Sequence, residues 1–233
     1  MKIGILETGN PPERLAADYP TYGRMVADLV GPGHAYTHYR VADGVLPADP
    51  SHEEAYLITG SPAGVYDSLP WIAALMTFLR SVSPETPLVG ICFGHQVMAA
   101  AFGGRVAKSD KGWGLGLQSY AIEAQAPWMD DATQIAVPAI HQDQVLDPPP
   151  GARTLAGNAF TPHGVLDYRD RRALSFQVHP EFAADYATAL IAGHRPEVPH
   201  APAAHAAALD SLTRPSDGPR LGGWIRRFLE GRI

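Results

Sequence analysis

Short apolar runs alternate with amphipathic ones through the first 104 residues. "KIGIL" at 2–6 is apolar throughout apart from its first residue and ends at the turn residues "ETGNPP", which predicts a buried strand. "YPTYGRMVADLVG" has apolar residues at helical spacing and closes on Gly31, a residue type favoured just past a helix end. "HAYTHYRV" at 34–41 and "AYLITG" at 55–60 predict two more strands. "LPWIAALMTFLRSV" at 69–82 predicts a helix with Pro70 in its first turn. "PLVGI" at 87–91 then reads as a strand, and "HQVMAAAFGG" as a helix stopped by Gly103 and Gly104. This alternation implies an α/β fold, a central mostly parallel sheet with flanking helices on both faces.

Beyond Gly104 the texture changes. "GRVAKS", "GLGLQSYAIE", "TQIAVPAIHQDQV", "ARTLAGN" and "ALSFQVHPEF" are strand-like with few helical interruptions. They predict an extension of the sheet and a smaller antiparallel ribbon. The tail has helical patches at 182–194, 203–213 and 220–230, separated by "RPEVPHAP" and "RPSDGP". "APAAHAAAL" reads as a surface helix. The whole pattern is read as a single domain over 1–233, with extra helices at about 203–230.

Composition narrows the function classes. Across 233 residues, 45% are hydrophobic and 18% charged, ordinary for a soluble globular protein. A net charge of −6 argues against the basic surface that nucleic acid or an anionic membrane would require. No apolar run approaches the length of a membrane span, and the amino terminus is too weakly apolar for a signal peptide. Arg169, Arg171 and Arg172 read as a solvated turn. The single cysteine rules out an intrachain disulfide and favours a reducing, cytoplasmic setting.

That cysteine, Cys92, sits in "GICFG", a G-x-C-x-G joint between a predicted strand and a predicted helix. It is the thiol counterpart of the nucleophile elbow. Gly90 and Gly94 remove side chains that would collide in so sharp a turn. The helix amino terminus favours a thiolate, and the N–H of Phe93 points where the oxygen of an attacked carbonyl would lie. A thiol nucleophile needs a base and a group to orient that base. Among ten histidines the best placed is His179 in "LSFQVHPEF". On a strand, His179 and Glu181 would project from one face, the carboxylate steadying the imidazole. Pro180 between them suits a strand's end.

With these residues in hand, the sequence resembles the class I glutamine amidotransferases of the Cys-His-Glu type. The resemblance runs from "ILETG" through "ITGSPAGVYD", "GICFGHQ" and "HQDQV" to "FQVHPEF". More closely, it resembles stand-alone members related to the amidotransferase half of GMP synthase. The resemblance implies the flavodoxin-like fold of that family and hydrolysis of a γ-glutamyl amide, glutamine in the simplest case, through a cysteinyl thioester. It makes Cys92 the nucleophile, His179 the base and acid, and Glu181 the orienting carboxylate. It assigns the oxyanion hole to the backbone N–H groups of Ser61 and Phe93, and substrate binding to Gly60, Gln96, Ile140, His141 and Gln142. Many relatives have glycine where Ser61 stands and a small polar residue in place of Ile140. GMP synthases usually have glycine in place of Gln142.

The resemblance implies no cofactor and no metal, and it leaves the partner open. The chain could pass ammonia to a separate synthetase subunit, or act alone on a γ-glutamyl amine or peptide. A metabolite-binding module without activity and a thiol-redox or glyoxalase-like protein are rivals of another class. Neither has a chemical need for Cys92, His179 and Glu181 together. A metal hydrolase finds no H-E-x-x-H and no zinc-spaced cluster. "KGWGLG" at 111–116 reads as a turn near the site mouth, and Trp71, Trp128 and Trp224 as packing anchors. The three histidines of "HRPEVPHAPAAH" read as a loop, and His141 with Asp143 also fits a satisfied polar turn.

Overall fold

The computed structural model describes residues 1–193 and 202–231. Five strands lie parallel in the order β2 (Ala35–Arg40), β1 (Lys2–Glu7), β3 (Ala55–Ile58), β4 (Leu88–Ile91) and β11 (Ala173–Phe176). Beside β11 the same sheet continues antiparallel through β10 (Val165–Tyr168), β9 (Ala152–Gly157), β6 (Gly114–Ile122) and β7 (Gln134–His141). A separate two-stranded antiparallel ribbon joins β5 (Arg105–Lys108) to β8 (Asp143–Asp147). The mostly parallel α/β sheet and the small ribbon are therefore both present.

Central strands β3 and β4 are buried along their whole length, as parallel strands covered on both faces must be. On one face α1 (Tyr22–Val30) and α6 (Gly218–Glu230) bury Val26, Val30, Leu221, Trp224 and Phe228 against the sheet. On the other, α2 (Pro70–Ser81) and α3 (Phe93–Ala101) bury Ile72, Leu75, Leu79, Phe93 and Val97. Helices α4 (Ala184–Ala192) and α5 (Pro202–Ser211) cover β6 with a third cluster that includes Phe182 and Leu190. Trp128 and Trp224 meet edge to face at 6.2 Å, and Trp71 packs 5.4 Å from Phe93. Among the described residues no helix is long and apolar enough to cross a membrane.

Five expectations change. The strand-like stretch 173–182 is a strand only to Phe176; Pro180 cannot donate to a ladder, so His179 and Glu181 lie in a turn beyond the strand. The stretch 133–145 divides at Gln142, where the chain leaves β7 and enters the ribbon as β8. Strand β10 had no counterpart in the sequence reading. The basic turn is not merely solvated: Arg172 donates to the carbonyls of Phe228 and Leu229 at the end of α6, and Arg171 lies 3.8 Å over the Phe102 ring. Of the histidine-rich stretch, 194–201 lie outside the described residues, while His205 sits on α5 and bonds the Ile191 carbonyl.

Candidate active site

The joint of β4 and α3 is sterically determined. Cys92 has φ 53° and ψ −101°, the only non-glycine residue with positive φ among those described. Such a conformation costs about 1–3 kcal/mol and persists only where the surroundings enforce it. A Cβ on Gly90 would stand 2.5 Å from the Gly94 backbone, and one on Gly94 would collide with the Ile58 carbonyl. The Cys92 N–H donates to the Phe176 carbonyl at 2.7 Å, tying the elbow to β11. Phe93 opens α3, so its N–H lies in the first turn, where a helix offers no internal acceptor.

The turn after β11 carries His179 to the same place. Its backbone N–H donates to Pro138 of β7 at 2.8 Å, and its ring stacks on Phe182 at 4.1 Å with planes 5° apart. Nδ1 donates to Glu181 Oε1 at 2.7 Å. Cys92 lies close enough to the ring to act on its charge, and its sulfur lies 3.8 Å from Gln177 Nε2. Burial alone would lower the pKa of His179. The negative charges of Cys92 and Glu181 outweigh it and push the value up to about 10. Two other buried histidines move the opposite way: burial takes His141 down to about 4 and His95 to about 3, with nearby histidines adding to the shift.

Cys92 and His179 open onto a cavity of about 570 Å³. Gly60, Ser61, Gln96, Ile140, His141 and Gln142 line it too, so the structure gathers there every predicted site residue except two. Phe93 turns its side chain into the core and Glu181 stands behind His179. The loop after β3 lies close to Cys92 and His179: a Cβ on Gly60 would be 3.1 Å from His179 Cε1 and 3.8 Å from Cys92 Cβ. Gln96 is less free than expected, because its Nε2 donates to the Asp143 carbonyl at 2.9 Å and to Gln177 Oε1 at 3.2 Å.

Sequence reasoning missed Lys108, Tyr66, Gln177 and Phe182. Gln177, two residues before His179, was findable from spacing. Tyr66, whose hydroxyl donates to Asp143 at 2.9 Å, needed the fold to bring residues 77 apart together. A second cavity, of about 720 Å³, shares Lys108, Trp113 and Gln142 with the first and runs towards α5. Trp113 of the "KGWGLG" stretch thus stands at the seam, while Gly114–Gly116 already belong to β6. Among the described residues no group of three or more histidine, cysteine or acidic side chains could hold a metal.

A strained cysteine elbow beside a histidine–carboxylate pair, on this sheet topology, defines the class: a glutamine amidotransferase-type fold. The sequence model of the glutamine amidotransferase class-I family matches residues 36–191, and the chain belongs to that family. It is 28% identical to a glutamine amidotransferase-like protein of Schizosaccharomyces pombe, over 97% of this chain and 98% of the relative. It is 32% identical to gamma-glutamyl peptidase 4 of Arabidopsis thaliana, over 72% of this chain and 70% of the relative. It is 32% identical to the glutamine-hydrolyzing GMP synthase of Thermus thermophilus, over 70% of this chain and 31% of that longer protein. A glutamine amidotransferase structure from Thermotoga maritima superposes with a TM-score of 0.78 over 100% of this chain and 97% of the other, at 18% identity.

Proposed function

We propose that the chain hydrolyses a γ-glutamyl amide through a thioester on Cys92. The observation that carries this reading is the convergence of the positive-φ Cys92 with the His179–Glu181 pair at one cavity. The thiolate attacks the γ-carbonyl carbon, and the oxyanion rests on the N–H groups of Phe93 and Ser61. The imidazolium of His179 gives its proton to the leaving nitrogen as the carbon–nitrogen bond breaks, and the sulfur keeps the γ-glutamyl group. Water, deprotonated by the same imidazole, then cleaves the thioester to the γ-carboxylate and restores the thiolate. Glu181 keeps the ring aimed and its positive charge offset. Gly60, Gln96, Ile140, His141 and Gln142 bind the glutamyl portion. A lone reactive thiol fits a reducing, cytoplasmic setting.

Two fates remain for the nitrogen: capture by a synthetase subunit, or simple release. One observation favours release from a substrate larger than glutamine. A second cleft adjoins the site cavity and shares Lys108, Trp113 and Gln142 with it as lining, so space for more than a single amino acid lies next to the site. The likeness to a plant gamma-glutamyl peptidase supports the same reading. The purified chain is assayed alone against glutamine, γ-glutamyl dipeptides and γ-glutamyl amines, with mass spectrometry of Cys92 after a glutamine-like chloroketone. Turnover of the larger amides without a partner is expected, with labelling at Cys92. Cys92→Ala should lower turnover by about 10³-fold or more with circular dichroism unchanged. Wild-type rates in that variant would end the mechanism. Labelling without turnover would instead favour a subunit that waits for its synthetase.

A further inference from the structure

The loop 59–61 leaves β3 and passes over the end of β1, where Thr8 meets it. Thr8 and Thr59 are 1% and 0% exposed. The Thr8 hydroxyl lies 2.8 Å from the Thr59 carbonyl and 3.1 Å from the Gly60 carbonyl. The Thr8 N–H donates to the Thr59 hydroxyl at 3.0 Å, and that hydroxyl reaches the Gly60 carbonyl at 3.3 Å. The single Thr8 hydroxyl proton is shared between the Thr59 and Gly60 carbonyls, and the Thr59 hydroxyl supplies a second donor to the Gly60 oxygen, in a place where an unbonded polar group would be costly.

The consequence follows from peptide geometry. The Gly60 carbonyl and the Ser61 N–H belong to one planar unit, and no peptide bond among the described residues is cis. In a trans peptide the two groups point in opposite directions. A carbonyl held towards Thr8 sends the Ser61 N–H away from β1, and Gly60 itself borders His179 and Cys92 on the cavity wall. We infer that Thr8, assisted by Thr59, is a positioning residue: its hydroxyl aims the Ser61 N–H at the oxyanion by holding the other end of the same peptide. This rests on the hydrolase reading above, and the variants below separate the two.

Thr8→Val removes the hydroxyl and keeps the shape, while Thr8→Ser keeps the hydroxyl. With the γ-glutamyl substrate turned over best, Thr8→Val should lower kcat about 10- to 100-fold, less than outright loss of an oxyanion donor, with KM within about 2-fold. Thr8→Ser should recover kcat to within about 3-fold. Iodoacetamide alkylates a thiolate by displacing iodide and builds no oxyanion, so its rate at Cys92 should be unchanged in both variants. Crystal structures supply a readout that needs no turnover: the Gly60–Ser61 peptide should rotate in Thr8→Val and not in Thr8→Ser. If Thr8→Val does not fold, Thr8→Ala is read by the same measures. An unrotated peptide, an undiminished kcat, a matching fall in alkylation, or failure of Thr8→Ser to rescue would each overturn the inference. A wild-type chain without turnover, but with the peptide rotating as expected, counts against the hydrolase reading alone.

Discussion

Of the close approaches that depend on a missing Cβ, two differ in what stands opposite. At the elbow, Gly94 faces the carbonyl of Ile58, on a strand locked between β1 and β4. At the outer layer, Gly116 of β6, with φ +83°, lies where a Cβ would be 2.5 Å from the Ser211 hydroxyl and 2.6 Å from the Ala208 carbonyl of α5. There Ser211 also accepts the Leu117 N–H at 2.8 Å. The first neighbour is a strand interior that cannot yield. The second is a helix that can lift as a unit. The elbow is thus part of the cooperative core, whereas the α5 seat is a local attachment.

Gly94→Ala puts the comparison under the heaviest load. The added methyl meets strand backbone, so unfolding free energy should fall by about 3 kcal/mol or more, read from urea denaturation. A near-wild-type midpoint would show that the elbow can relax and would erase the contrast. The next effect is electrostatic and confined to the elbow. Burial lowers the His179 pKa and the charges of Cys92 and Glu181 raise it, to a net value of about 10. Cys92→Ala leaves Glu181 alone against burial, so the ring should titrate at lower pH than in the wild type. An NMR titration of the imidazole C–H checks the sign. In the wild type the folded ring holds its proton more tightly than the unfolded chain does. That contribution to stability is full below pH 6.5 and is lost as pH rises towards 10. The smallest effect belongs to the outer layer. Gly116→Ala should cost about 1–2 kcal/mol for a side chain held at φ +83°, with the added methyl pressing on α5 and not on a strand. Hydrogen exchange should then rise across 202–211 while β3 and β4 stay protected. Global unfolding instead would make the two contacts equivalent.

The parallel half of the fold was readable because its strands are short and apolar and end in glycine or a turn. "KIGIL", "AYLITG" and "PLVGI" are covered on both faces and need no alternation to be recognised. Strand β10 escaped because "VLDY" is not a continuous apolar run: it carries Asp167, whose partner Arg153 lies on the neighbouring strand 3.0 Å away. The candidate site residues stood out through chemistry that composition cannot mimic: a single cysteine between glycines and an H-P-E turn. Thr8, Tyr66 and Lys108 did not stand out, since each gains meaning from a partner distant in sequence. Thr8 and Thr59 are 51 residues apart. Two of the three arginines assigned to solvent, Arg171 and Arg172, showed the same blindness, because the aromatic face and helix end that recruit them exist only after folding.

The neighbourhood of β4 and β11 has a consequence for the order in which the molecule becomes competent. His95, one helical turn past the cysteine, bonds Ser175, 80 residues later. A ribosome extrudes the thiol's strand long before its partner strand, so closure of that large loop must come late. Until it does, Cys92 has neither the His179 ring beside it nor its positive-φ conformation. The thiol of the nascent chain is an ordinary one, and its particular surroundings arrive only with tertiary completion.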